Sequence, residues 1–116
     1  MNKFQDNLRG KMDNYVHYVY ALTKKFPREE IYGCTSQLRR ASLSVILNYV
    51  EGFARERKAV KANFWEISYG SLSESKYLLD FCGEEGYIDF KSRKTAIAMA
   101  EEIGAMLYCL LKAEWK

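Results

Sequence analysis

Proline occurs once in 116 residues, at Pro27, and glycine only seven times, so the chain has few places where a helix must stop. On both sides of that break apolar residues recur at steps of three and four, the period of a helix that buries one face. Leu8, Met12, Tyr15, Val19, Leu22 and Phe26 follow it, which predicts a first helix from about Phe4 to Lys25. Phe26-Pro27 ends that helix, because the residue before a proline is pushed out of the helical region and a proline suits the first turn of a new helical segment. Arg28 to Gly33 then reads as a connector of one helical turn.

Thr35 or Ser36 is placed to cap a second helix through Leu38, Ala41, Ser42, Val45, Ile46, Tyr49 and Phe53 to about Ala54. The charged turn Arg55-Glu56-Arg57-Lys58 leads into a third, with apolar positions Val60, Phe64, Ile67, Ser71, Leu78 and Cys82, closed by Gly83 and Gly86. Asp89 or Ser92 caps the last helix, whose seam is Ala96, Met99, Ile103, Met106 and Leu110 and which runs to about Trp115. Short connections between long helices make neighbours antiparallel. The expected fold is therefore all-α, one up-down-up-down four-helix bundle over residues 1–116.

Several function classes drop out. With 48% hydrophobic and 28% charged residues the chain is too apolar to be disordered. No apolar run approaches the ~18 residues of a membrane span, and Met1 to Leu8 lacks the apolar stretch of a signal peptide; a cytoplasmic protein without membrane attachment is expected. Cys34, Cys82 and Cys109 are far apart and lack zinc-ligand spacing, so they read as free thiols acting as small apolar residues. His17 is the only histidine, and there is neither a Glu-x-x-His pair for metals nor a glycine loop for phosphate. Glu84-Glu85 and Glu101-Glu102 read as solvated faces. Neither an enzyme nor a cofactor, metal or small-molecule substrate is expected.

The second helix is too apolar for a lone bundle. Beyond its core face, Leu43, Leu47, Val50 and Ala54 widen the apolar arc to roughly 220°, about double what a monomer's surface helix needs. Arg39 falls near the junction of the two arcs, beside Ile46 and Val50, where a lone charge is costly unless paired; either its long side chain extends its charge to water, or it pairs across a subunit boundary with Glu51 or Glu74, the available carboxylates. Tyr18, Tyr20, Trp65, Tyr69, Tyr77 and Tyr108 also fall off or beside the seams, and such aromatics are enriched at interfaces. These residues predict a homo-oligomer.

Net charge is only +3, but its distribution is uneven. An up-down-up-down bundle gathers both termini and the second turn at one end, where Lys3, Arg9, Lys11, Arg55, Arg57, Lys58, Lys61, Lys112 and Lys116 face Asp6, Asp13, Glu56 and Glu114. Nine positive against four negative charges give +5 there, while the other end balances. Repeated around an oligomer, that end would attract polyanions, with Arg9, Lys11, Arg55, Arg57, Lys58 and Lys61 as the candidate nucleic-acid contacts. The competing reading is a protein-interaction ring that holds no nucleic acid.

Leu22-Thr23-Lys24-Lys25-Phe26-Pro27-Arg28-Glu29-Glu30, Tyr32-Gly33-Cys34-Thr35-Ser36-Gln37-Leu38-Arg39-Arg40-Ala41, Asn48-Tyr49-Val50-Glu51-Gly52-Phe53-Ala54-Arg55 and Gly70-Ser71-Leu72-Ser73-Glu74 together resemble the four-helix-bundle family named after the 23S rRNA intervening-sequence protein. That family includes the accessory variability proteins of diversity-generating retroelements. The resemblance implies a homopentameric ring with a basic surface. In the retroelement branch, toward which this chain leans, it implies binding of a reverse transcriptase and of nucleic acid. Where many members carry Ser-Ile-Pro-Ser-Asn-Ile-Ala-Glu-Gly, this chain reads Ser44-Val45-Ile46-Leu47-Asn48-Tyr49-Val50-Glu51-Gly52; without the proline the second helix should run unbroken.

Overall fold

Asn2 opens the first helix with a capping box: its side-chain oxygen accepts the Gln5 backbone N–H (2.8 Å), and the Gln5 side chain accepts that of Asn2 (3.0 Å). In the computed structural model, which describes residues 1–115, α1 is Lys3–Thr23, α2 is Cys34–Phe53, α3 is Lys58–Glu84 and α4 is Phe90–Glu114, with one 3-10 turn at Arg28–Glu30. There is no strand among the described residues. Each helix packs on its two neighbours around a square, α1 on α2 and α4, α3 on α2 and α4, as the up-down-up-down expectation requires. The bundle measures 43 × 25 × 19 Å, its long axis set by the 27-residue α3.

The ends of the helices follow local chemistry. α2 starts at Cys34, ahead of the expected caps Thr35 and Ser36; the Glu30 carboxylate accepts the Cys34 N–H (3.1 Å) and places negative charge at the helix N-terminus. α2 is continuous to Phe53. Gly86 alone ends α3: it adopts a left-handed φ of 84°, with Gly86 N–H on Gly83 O and Tyr87 N–H on Cys82 O, the paired closure that favours glycine. Gly83 lies inside the helix. Asp89 caps α4, accepting the Ser92 N–H at 2.8 Å.

The core matches expectation in α1 and α2 and departs from it in α3 and α4. Leu8, Met12, Tyr15, Val19, Leu38, Val45 and Tyr49 are fully buried. In α3 the core face is Ala62, Trp65, Ser68, Leu72, Ser75, Leu79 and Cys82; of the expected seam only Cys82 belongs to it. The reason is close packing through small polar residues, on α2 at Ser68 and toward α1 at Ser75. Ser68 donates to Val45 O at 2.6 Å, and Ser75 donates to Leu72 O at 2.7 Å while accepting from Tyr15, whose hydroxyl reaches across the diagonal of the bundle (2.8 Å). Trp65, expected outside, is 1% exposed, and its indole donates to Tyr49 O at 3.1 Å. In α4 the seam is Ala96, Ala100, Ile103, Leu107 and Leu111, with Met99, Met106 and Leu110 half-buried beside it.

Candidate assembly face and basic end

α2 and α3 lie antiparallel in a register fixed by Ser44 on Ser71 (2.9 Å), Arg40 on Glu74 (2.8 Å) and Trp65 on Tyr49 O. That register sets Leu47 level with Ile67 and Val50 level with Phe64. Leu43, Val50 and Ile67 are exposed, and Leu47 is exposed by 58%. The apolar positions expected to form the α3 seam, Val60, Phe64 and Ile67, instead form a strip along its α2 side. They extend the outer face of α2 across two helices. Tyr69, Tyr77 and Tyr108 also stand outside the core, while Tyr18 and Tyr20 are half-buried.

Arg39 is satisfied within the chain. Its Nε donates to Thr23 Oγ1 at 2.7 Å and its guanidinium lies 4.7 Å from the centre of the Tyr20 ring. Thr23 in turn donates to Val19 O, which leaves its lone pair for the arginine. Glu74 pairs with Arg40 (2.8 Å) and Glu51 with Arg55. The two carboxylates expected for Arg39 are thus engaged by other arginines of the same chain.

At the end that holds both termini, Tyr49 Oη donates to Gln5 O (2.7 Å) and the Trp115 indole to Glu66 (3.3 Å). These contacts tie the start of α1 to the end of α2 and the end of α4 to the start of α3. Of the expected nucleic-acid contacts, Arg9, Arg57 and Lys58 are exposed and form no ion pair among the described residues. Arg55 is paired with Glu51 and stacked on Phe64 at 4.9 Å. Lys61 is half-buried over Phe53 and Trp65, 5.9 Å from each ring centre, and Lys11 pairs with Glu102 at 3.1 Å. Lys116 lies outside the described residues. Glu51, Glu66 and Glu102, which chain position alone does not assign to this end, stand among its cations and lower the positive excess expected there.

The buried titratable groups are held in their neutral forms. Burial pushes the Tyr15 hydroxyl up to about 12 against the opposing bond with Ser75. It also lifts the Cys82 thiol to about 12, helped by Cys34 beside it and by Glu30 and Glu85. Raised thiol pKa values disfavour the nucleophilic thiolate. His17 is exposed, 3.5 Å from Asp13. Among the described residues no cluster of three or more His, Cys, Asp or Glu side chains is arranged to hold a metal, and no helix is long and apolar enough to cross a membrane. A row of exposed aromatics, Tyr69, Tyr108 and Trp115, crosses from α3 to α4. Chain order hides this row, because its members come from two helices and meet only once the α3/α4 register is known.

Residues 8–109 match the family model described as 23S rRNA-intervening sequence protein. Among solved structures, the chain is similar to a crystal structure from Bacteroides thetaiotaomicron described as a protein with unknown function from the S23 ribosomal protein family. The TM-score is 0.87 at 19% sequence identity, covering 94% of this chain and 98% of that one. No curated protein matches.

Proposed function

We propose, from the premise that the chain belongs to the 23S rRNA-intervening sequence protein family, that it does no chemistry of its own and acts as a homo-oligomeric scaffold whose basic end holds nucleic acid. The observation that carries this reading is the apolar strip of Leu43, Leu47, Val50 and Ile67, exposed on two adjacent helices and joined by half-buried Phe64, over which Arg55 lies. Contiguous apolar surface of this kind marks an interaction site. Arg9, Arg57 and Lys58 supply the polyanion contacts, with Lys11, Arg55 and Lys61 adding charge that their own partners already moderate. In its finer form the scaffold is a pentameric cytoplasmic ring that serves a reverse transcriptase as a retroelement accessory protein. The runs Leu22–Glu30 and Tyr32–Ala41 support that form by resemblance.

Two measurements test it. Light scattering on the purified chain should give a multiple of 13.6 kDa, and a monomer would end the scaffold reading. Affinity for RNA or DNA should fall as salt rises, and Arg57→Gln with Lys58→Gln should reduce that slope by roughly one per cation removed; a flat salt response would remove nucleic acid from the proposal. A second reading, a ring that binds only protein, draws support from the carboxylates set among the cations of the basic end. It predicts that a partner protein stays bound after nuclease treatment.

A further inference from the structure

The α3/α4 face carries a chemistry different from the α2/α3 strip. Tyr69 and Tyr108 meet across the groove between these helices with ring centroids 6.3 Å apart, and Tyr108 meets Trp115 edge to face at 6.0 Å. All three stay open to solvent, by 37%, 46% and 53%. They brace one another, and Trp115 is further held by its bond to Glu66, so part of the entropy of ordering them is already spent. Beneath them runs a groove of about 360 Å³ floored by Leu72, Ala100 and Gly104.

Cations stand at the ends of this row. At 100° per residue Lys58 and Lys76 share one line of α3 with Tyr69, and Lys112 follows Tyr108 by one turn of α4. The carboxylates on this face are Glu66, Glu101 and Asp80, the last paired with Arg93 of α4 at 2.9 Å, so four cations stand against three acids. Lys58, Lys76 and Lys112 form no ion pair among the described residues. Exposed rings flanked by cations suit a ligand with flat π-faces on an anionic backbone, where each stacked base contributes independently of sequence.

We propose that Tyr69, Tyr108 and Trp115 form a stacking platform for single-stranded nucleic acid. This rests on the nucleic-acid reading above and narrows it from polyanions in general to unpaired strands. A duplex keeps its base faces inside the stack and offers the rings nothing. The lysines at both ends, and the continuation of the row toward exposed Arg57 and Lys58, favour a strand over a peptide as occupant.

The test titrates the full chain with a fluorescent oligothymidylate and with a duplex of equal length at several salt concentrations. The single strand should bind more tightly. Tyr69→Leu, Tyr108→Leu and Trp115→Leu should each weaken it by about fivefold or more, leaving the salt slope and duplex affinity unchanged, whereas Lys58→Gln should lower the slope. Tyr108→Phe, which keeps the ring, should bind as the parent does, and oligothymidylate should quench the exposed Trp115 in the unaltered chain. Unchanged single-strand affinity in all three leucine variants, with Lys58→Gln still reducing binding, would overturn the platform and leave the nucleic-acid reading standing. Loss of a proline-rich peptide, and not of the oligonucleotide, in those variants would reassign the row to protein. Failure to bind either nucleic acid would end both readings.

Discussion

Gly52 and Trp65 show how narrowly single side chains are tolerated where α2 meets α3. A Cβ at Gly52 would lie 2.4 Å from Trp65 Nε1 and 3.2 Å from Lys61 O. Neither neighbour can yield, since the indole is buried and donates to Tyr49 O. Gly52→Ala should therefore destabilise the fold by about 1–3 kcal/mol, read as a lower urea midpoint. Tyr15 and Cys82 give a pH signature. Their folded-state pKa values are raised from 10.0 and 9.0 to about 12, so the native state keeps protons that the unfolded chain has lost. Their contribution is complete below pH 9 and disappears as pH climbs to about 12. Denaturation midpoints should fall across that window, and Tyr15→Phe should flatten part of the fall.

At the scale of elements, α1 was legible because large apolar side chains occupy most of its buried face at three-four spacing, and α2 because Leu38, Val45 and Tyr49 set that spacing with small Ala41 and Ser42 falling in the same register. In α4 Ala96 and Ile103 lie in the seam as expected; the rest of α4 and most of α3 were not legible, because Ala62, Ser68, Ser75 and Ala100 fill the core side while larger residues such as Ile67 and Met99 sit outside or beside it. A count of bulky apolar residues then selects the wrong face. The candidate surfaces divide in the same way. The exposed α2 face was readable from one helix alone, and the collection of cations at one end from the expected topology; the Lys11–Glu102 pair and the Tyr69–Tyr108–Trp115 row join different helices and needed the tertiary register. Helix ends were readable where one side chain decides them. Asp89→Ala should cost about 1 kcal/mol by removing the cap of α4, seen as a lower melting temperature with native helix content unchanged.

For the whole molecule, the proposed assembly through the α2/α3 strip and the proposed polyanion binding at the basic end predict different responses to salt. Burial of apolar surface does not weaken with ionic screening, whereas polyanion binding does. Mass by light scattering should thus hold steady across a salt series in which nucleic-acid affinity falls steeply. Leu47→Asp, on the most exposed residue of the α2 face, should reduce the mass to that of one chain while circular dichroism remains helical.

The serine-lined contact between α2 and α3 carries a kinetic consequence. These helices are consecutive, joined by a four-residue turn, Ala54 to Arg57, and they approach most intimately of all the pairs, so closing them costs little chain entropy before contacts reward it. That hairpin should form the transition state's ordered part, with α1 and α4 docking afterwards. Ser68→Ala would then slow refolding, while Leu8→Ala would mainly speed unfolding.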